Sequence, residues 1–438
     1  MPITPFNKLR GRAPSFVSAV ALITTSLTLL MLGSPANAAP GTPGQPSPGI
    51  TVLYENFQNV SGPSPVIKLN AYTGAGGETY TADPAWLTNC NGWLTSTQQS
   101  VTAEGPLSDA ECGDQTSWNH TQQMAAALGM HAGLSEAESG NNYAVSAYTQ
   151  ADPGPDGITI ETAHNLPFVS SNRYVMTSVD IAAMNCGDSS APTIQFDALD
   201  STQNSIPVGG VINGCSSTTD VTVGSVGNAA AIDVRVGTYN SDSAVLIHGP
   251  SVGVKLINTN PSGEGNDYSF DNVRIVDVTP QLDKSFSPTT ILAGQKSTLT
   301  LTMTNTIDLA AKNGWSFTDA LPSGVTVAGV ASTTCPDSSV VAAQGSGSVA
   351  VTSGNLAQGM ISCAITVPVT ASKVGSYVNS ASNITGIGVN PPGTATLVVN
   401  PALAETGLNV IPTVMVAGGI IASGIVALVI VRARRRRA

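Results

Sequence analysis

The sequence is poor in charged residues, above all in basic ones. Only 10% of its 438 residues are Asp, Glu, Lys or Arg, against about 25% in an average protein. Eight of the 17 basic residues lie close to the two chain ends, so that residues 39–406 hold nine basic and 28 acidic residues, a net charge of −19. Such a surface repels phosphates, so we predict no nucleic-acid partner.

The sequence also lacks the short motifs that often mark an enzyme. It has no HExxH, no GxSxG, no phosphate-binding loop and no CxxC, and its four histidines are isolated. A glycosidase needs two carboxylates across a cleft, and no spacing in this chain pairs two of them. We therefore predict that the protein is not an enzyme and carries no catalytic residue.

The N-terminus carries the parts of a secretory signal peptide. Basic residues in the first twelve positions precede an apolar stretch over residues 16–32, and Ala36 and Ala38 supply the small residues that signal peptidase requires. We predict a signal peptide over residues 1–38, with cleavage before Ala39. A permanent anchor is disfavoured because the apolar stretch ends in Gly33 and Pro35.

The C-terminus carries an apolar run followed by a basic stop. Residues 408–431 contain no charge and would form a helix of about 36 Å, enough to cross about 30 Å of hydrocarbon. Five arginines follow within residues 432–438, which predicts a transmembrane helix with a short cytoplasmic tail.

The residues before that run resemble a sortase sorting signal of the LAxTG type, which class E sortases of high-GC Gram-positive bacteria process. They are Leu403, Ala404, Glu405, Thr406 and Gly407, within a signal region at 400–407. The resemblance implies cleavage after Thr406 and transfer to a peptidoglycan precursor. The protein would then be exported to the cell-wall surface of an actinobacterial-type cell, or stay in the plasma membrane if uncleaved. The competing interpretation is a single-span protein with an accidental LAETG.

Six cysteines lie in the exported part, an even number in an oxidising compartment. They form three neighbouring couples, and we predict disulfides Cys90–Cys112, Cys186–Cys215 and Cys335–Cys363. Each would close a loop of about 20 to 30 residues and contribute about 3 kcal/mol by chain entropy. Metal ligation is the weaker alternative because no cysteine has a partner at ligand spacing.

A Pro/Gly linker at 39–50 precedes a region with many short alternating segments, which is typical of a β-sandwich. Strands are predicted at 51–57, 158–162, 174–181, 193–198, 230–239, 244–248, 253–258 and 268–279. Residues 82–134 break the pattern and predict a disulfide-pinned insertion with a short helix at 121–128.

The first and last strands of residues 51–279 resemble those of bacterial jelly-roll modules of the carbohydrate-binding and lectin type. The resemblance implies a structural calcium ion near Glu55 and Asp271, although two carboxylates alone do not make a site. The competing interpretation is two ordinary strand-edge carboxylates. Trp86, Trp93 and Trp118 are a candidate sugar platform, or else a local core beside the first disulfide.

Residues 280–399 carry the motifs DKSFSPTTI from 283, LTLTMTN from 299, FTDALPSGV from 317 and YVNSA from 377. They resemble a DUF11-type repeat and a closely related domain of unknown function on actinobacterial surfaces, which implies an immunoglobulin-like spacer. Some surface sandwiches of this kind form a Lys–Asn isopeptide bond. Lys284, Asn379 and Asp319 are the candidates here, and the competing interpretation is that they are ordinary surface and turn residues.

The sequence thus predicts an all-β protein, with a jelly-roll-like β-sandwich followed by an immunoglobulin-like one between a signal peptide and one transmembrane helix. The expected function is structural, adhesive or glycan-binding, with an extracellular glycan or protein as ligand and a class E-like sortase as processing partner. The alternative is a secreted, wall-bound carbohydrate-active enzyme with its site in residues 51–279.

Overall fold

The computed structural model describes residues 42–61, 65–102, 112, 115–149, 157–186, 191–263 and 265–402. The signal peptide, the sorting signal at 403–407, the apolar run at 408–431 and the basic tail lie outside these residues. Within them, no helix is both long and apolar enough to cross a membrane. The described part of the chain is built almost entirely from strands, which confirms the predicted all-β class.

The first sandwich contains most of the strands and two helices, α1 (Gln115–His131) and α2 (Glu136–Ser139). In chain order its strands are β1 (Ile50–Glu55), β2 (Tyr80–Thr81), β3 (Cys90–Thr95), β4 (Ala144–Tyr148), β5 (Gly157–Thr162), β6 (Leu166–Pro167), β7 (Arg173–Met184), β8 (Thr193–Leu199), β9 (Ser205–Pro207), β10 (Ile212–Asn213), β11 (Thr219–Val223), β12 (Ile232–Asn240), β13 (Val245–Ile247), β14 (Ser251–Asn258) and β15 (Asp267–Asp277).

These strands form two antiparallel sheets packed face to face. One sheet has the order β11-β12-β7-β15-β4-β3, with β1 paired to β15 and β13 paired to β7. The other sheet has the order β10-β8-β14-β5-β2, with β6 paired to β14 and β9 paired to β8. Alternating side chains such as Ile181, Phe270, Phe196 and Val254 fill the space between them. Burial of one face of each sheet fixes the strand register, because a slip of one residue would turn that face to solvent.

Helix α1 covers the outer face of the first sheet, so that most of β7 is buried on both sides, whereas β12 keeps several exposed and half-buried residues. Met124 and Leu128 of the helix pack on Ala182 and Val234 of the sheet. The helix spans 17 residues, more than the predicted 121–128. Its buried face includes glutamines that bond to loop carbonyls, with Gln123 donating to the carbonyl oxygens of Gly224 and Ala230. Because part of the buried face is polar, the apolar periodicity of the sequence did not indicate the full length of the helix.

The second sandwich has strands β16 (Gln281–Ser287), β17 (Thr290–Leu292), β18 (Lys296–Thr304), β19 (Lys312–Ala320), β20 (Val325–Val327), β21 (Ser332–Thr333), β22 (Ser339–Val341), β23 (Ser348–Leu356), β24 (Ser362–Ala371), β25 (Gly375–Asn379), β26 (Ile384–Ile387) and β27 (Ala395–Asn400). They form sheets ordered β16-β18-β24-β20, β17-β27-β25 and β22-β23-β19-β26, with β21 beside β24. Leu299, Leu301 and Met303 face a common core with Trp315 and Val367.

The two sandwiches meet in a closed joint. Only residues 278–280 separate β15 from β16. Tyr174 of the first sandwich is 1% exposed, packs in the core of the second and donates from its hydroxyl to the carbonyl oxygen of Asn313 (2.5 Å). Gly388 approaches the Tyr174 ring so closely that a Cβ there would lie 2.6 Å from a ring carbon. The joint is therefore a packed interface.

The Pro/Gly segment at 42–49, predicted as a linker, lies along the second sandwich. Gly44 N–H donates to Thr304 Oγ1 (2.9 Å), Ile307 N–H donates to the carbonyl oxygen of Ser47 (3.0 Å), and Ser47 forms a parallel bridge with Thr306. Because this segment runs into β1 of the first sandwich at Ile50, it connects the two sandwiches. We call residues 42–49 the strap.

Candidate functional site

Three chemically distinctive side chains of the second sandwich converge inside it. Lys284 lies on β16, Asp319 on β19 and Asn379 at the end of β25, so each comes from a different sheet. The side chains of Lys284 and Asp319 are 0% exposed, and Asn379 is also fully buried. The structure thus brings together the three residues that the sequence singled out as an isopeptide set.

The amide of Asn379 sits between the other two groups. Lys284 Nζ donates to Asn379 Oδ1 (2.5 Å), and Asn379 Nδ2 donates to Asp319 Oδ2 (2.8 Å). The lysine also approaches Asp319 Oδ1 at 3.5 Å and donates to the carbonyl oxygen of Ser380 (2.9 Å). The oxygen and the nitrogen of the amide group are therefore each hydrogen-bonded to an ionisable side chain.

Burial shifts both ionisable groups towards their neutral forms. Removal from water lowers the pKa of Lys284, and the nearby Asp319 carboxylate opposes that shift. Removal from water likewise raises the pKa of Asp319, and the charge of Lys284 opposes it. The pair is thus poised for transfer of a proton from the ammonium to the carboxylate.

A second polar cluster lies at the joint. Arg173 Nε donates to Asp277 Oδ2 (2.7 Å), with both side chains 3% exposed, and its Nη2 donates to Asn390 Oδ1 of the second sandwich (2.6 Å). Beside it is a cavity of about 230 Å³, lined by the strap and by both sandwiches. Asp283 lines this cavity, and burial raises its pKa to about 6. Sequence reasoning missed this cluster, although Arg173 is one of only nine exported basic residues.

The two predicted calcium ligands lie in the first sandwich, both buried. Glu55 accepts from the backbone N–H of Phe57 (2.7 Å) and from the hydroxyls of Tyr72 (2.9 Å) and Tyr80 (2.7 Å). These donors satisfy its carboxylate without a cation. Among the described residues, no cluster of three or more His, Cys, Asp or Glu is arranged to hold a metal. Calcium binding here stays a prediction.

Asp271 shares its environment with a carboxylate that the sequence did not single out. Asp271 pairs in register with Asp180 across β15 and β7 and accepts from Asn142 Nδ2 (3.1 Å). Burial raises the pKa of Asp271 to about 8, with smaller contributions from the charges of Asp180 and Glu55. Exclusion from water is therefore the main cause of the raised pKa of Asp271.

The prediction of an exposed sugar platform is wrong. Trp86, Trp93 and Trp118 are 0%, 4% and 0% exposed. Trp93 and Trp118 pack around the buried Cys90–Cys112 disulfide, and Trp86 lies in the core between the two sheets. The rings of Trp93 and Trp118 therefore form a local core with the disulfide.

The six cysteines form the three expected pairs. Cys90 is bonded to Cys112, Cys186 to Cys215 and Cys335 to Cys363. The first bond joins Cys90 of β3 to Cys112. The last joins β24 to the loop before β22, within the second sandwich.

Two acidic side chains of the first sandwich, Glu138 and Glu161, have partners close to them. Glu138 accepts from the backbone N–H and the hydroxyl of Ser135 in a capping box at the start of α2. Glu161 pairs with Lys255 across β5 and β14 (3.3 Å).

Several solved structures show local similarity to this chain. The EclA C-terminal domain, described as a sugar-binding protein, shares 14% identity over 30% of this chain and 76% of its own, with a TM-score of 0.21. The N-terminal domain of the Streptococcus gordonii adhesin Sgo0707 shares 12% identity over 59% of this chain and 65% of its own, at 0.29. The CBM22-1 xylan-binding domain of Paenibacillus barcinonensis Xyn10C shares 11% over 53% and 96%, at 0.21.

These TM-scores are too low to support a functional argument. A search of curated proteins gives no match. One family profile does match, and its range coincides with the second sandwich. Residues 280–399 are similar to the family described as Domain of unknown function (DUF7933).

Proposed function

We propose that this protein is an exported surface protein with a structural and adhesive role, in which the second sandwich displays the first in a fixed orientation. The observation that carries the proposal is the closed joint. A three-residue connection, the buried Tyr174 and the strap at 42–49 leave no flexible linker between the sandwiches. A packed interface between domains limits their relative motion, which suits a spacer that presents a binding domain in one orientation.

The sorting signal supplies the attachment in this proposal. A class E-like sortase would cut after Thr406 and join the chain to a peptidoglycan precursor, and residues 408–431 would hold the chain in the membrane until then. The test compares Thr406→Ala with the unchanged chain in a Gram-positive host that has a class E sortase. We expect muramidase to release the unchanged protein with wall fragments and to leave the variant in the membrane fraction. Equal membrane retention of both proteins would contradict anchoring by this signal.

The first sandwich is the proposed ligand-binding part, with an extracellular glycan or protein as ligand. One shallow surface suits a glycan, since it combines half-buried Tyr239 with the polar side chains of Asn213, Asn240 and Asp242 in a depression of about 230 Å³. Aromatic area with a few polar groups is the usual composition of such sites. The hydroxyl of Tyr239 donates to the carbonyl oxygen of Gly214 (2.9 Å), which fixes the ring.

A glycan array on the exported chain, run beside an assay for new reducing ends, tests this role. We expect binding without turnover, and at least a tenfold loss of binding in Tyr239→Ala. Tyr54→Ala is the matched control, because Tyr54 is an exposed tyrosine on β1, at the other side of the sheet. Accumulating reducing ends would favour the carbohydrate-active enzyme instead, and the absence of any glycan or protein ligand would leave a structural role alone.

A further inference from the structure

We propose that Lys284 and Asn379 become joined by an amide bond inside the second sandwich, formed by the folded chain itself with Asp319 as its acid–base group. This inference concerns a covalent modification and does not rest on the proposed function. It follows from the orientation of the Asn379 amide, whose oxygen accepts from the lysine (2.5 Å) and whose nitrogen donates to the carboxylate (2.8 Å).

That orientation places beside the amide the two groups that a substitution at its carbon needs. The nucleophile lies beside the carbonyl, and the leaving nitrogen faces a group that can give it a proton. The three side chains come from three sheets whose registers hold them in place. Fixed contact of this kind replaces a bimolecular encounter and so lowers the barrier to reaction.

The proton transfers balance without any external reactant. Lys284 first gives a proton to Asp319, which leaves a neutral amine and a carboxylic acid. The amine attacks Asn379 Cγ; Asp319 then gives its proton to Nδ2 and takes one from Nζ. The Cγ–Nδ2 bond breaks, ammonia leaves, and the Nζ–Cγ amide remains. The shifts caused by burial, a lowered pKa for the lysine and a raised pKa for the aspartate, favour the first of these steps.

A structural ion pair is the competing explanation, and the chain offers a comparison for it. Lys312 is a second buried lysine, and it donates to the Asp308 carboxylate (2.5 Å) and to Thr306 Oγ1 (3.0 Å). Burial lowers its pKa as well. Its partners in the described part of the chain are a carboxylate and a hydroxyl, so it is a buried lysine–aspartate pair without an amide to attack.

The experiment measures the mass of the exported chain purified from an oxidising compartment and then reduced. We expect a mass about 17 Da below that of the sequence, the loss of one ammonia that follows attack by an activated lysine. Because a succinimide at Asn379-Ser380 would lose the same mass, a tryptic map must show which bond formed. Cleavage after Lys284 should disappear, and residues 275–296 should be linked to the peptide that begins at Val374. A full-mass chain, or a succinimide without this cross-link, would overturn the proposal.

Variants separate the chemistry from the folding. Lys284→Arg and Asp319→Asn should both restore the full mass. Asp319→Asn is the milder substitution, because the asparagine side chain has nearly the same size and shape as that of aspartate. Lys312→Arg is the matched control and should keep the ammonia loss and the cross-link. If Asp319→Asn folds, as judged by circular dichroism, and still cross-links completely at the wild-type rate, its assignment as the acid–base group is wrong. If a variant fails to fold, the map of the unchanged chain still decides whether the bond exists.

Discussion

Replacement of Tyr174 by alanine should uncouple the two sandwiches. The ring belongs to β7 of the first sandwich but is buried in the core of the second, and its hydroxyl bonds to the carbonyl oxygen of Asn313 (2.5 Å). Truncation of a buried aromatic residue to alanine costs about 3 to 5 kcal/mol. Because this ring links β7 of the first sandwich to the core of the second, we expect the loss to appear as a split of one unfolding transition into two.

Differential scanning calorimetry and urea denaturation of the exported chain provide the measurement. Tyr174→Phe keeps the ring and removes one hydrogen bond, so it should cost only about 1 kcal/mol. Tyr54→Ala is the control: Tyr54 is 49% exposed and stacks under the Arg274 guanidinium at 4.4 Å, so its loss should cost less than about 1 kcal/mol. If Tyr174→Ala is no more destabilising than Tyr54→Ala and keeps a single transition, the joint does not couple the sandwiches.

Three further predictions concern the backbone, the pH dependence and a disulfide. Gly388→Ala should destabilise the chain by about 1 to 3 kcal/mol, because φ is +66° and the new Cβ would meet the Tyr174 ring; Gly294→Ala, at φ +80° with open space around it, should cost less in the same urea titration. The pKa of Asp283 is raised to about 6 and that of Asp267 to about 7 by burial. Such groups stabilise the fold fully below their unfolded pKa of about 4 and lose this contribution as pH rises through the folded value. The free energy of unfolding should therefore fall between pH 4 and pH 7, and Asp283→Asn should flatten the part up to pH 6; an increase over that range would refute the assignment. Replacement of Cys90 and Cys112 by serine opens a loop with a sequence separation of 22 and should lower the free energy of unfolding by about 3 kcal/mol, whereas an unchanged thermal midpoint would show that the tryptophan cluster holds the insertion alone.

The strands of both sandwiches were largely predictable because their signal is local. Alternation predicted 158–162, 193–198 and 253–258, and the structure has strands at Gly157–Thr162, Thr193–Leu199 and Ser251–Asn258. β-branched and aromatic residues with one buried face leave a period of two in the sequence itself. The alternation of Leu299, Leu301 and Met303 with threonines likewise gave the buried face of β18.

What could not be predicted depends on contacts between distant parts of the chain. The Pro/Gly composition of 42–49 indicated a linker, but its partners Thr304 and Thr306 lie some 260 residues away. The residue type alone does not show whether a tryptophan is buried or exposed. The sequence could therefore not decide between a sugar platform and a local core for Trp86, Trp93 and Trp118. Lys284, Asp319 and Asn379 were recognisable as residue types, yet only the register of three sheets brings them within reach of each other.

The position of β27 has a mechanical consequence. It is the last strand before the proposed anchor and lies between β17 and β25. Tension that enters at Asn400 would pull this strand along its own axis, so the hydrogen bonds of both ladders would be loaded in shear together instead of breaking one after another. A covalent tie from Asn379 on β25 to Lys284 on β16 would then carry the load directly to the joint. Residues 285–378, with the Cys335–Cys363 disulfide among them, would lie outside the path of the force.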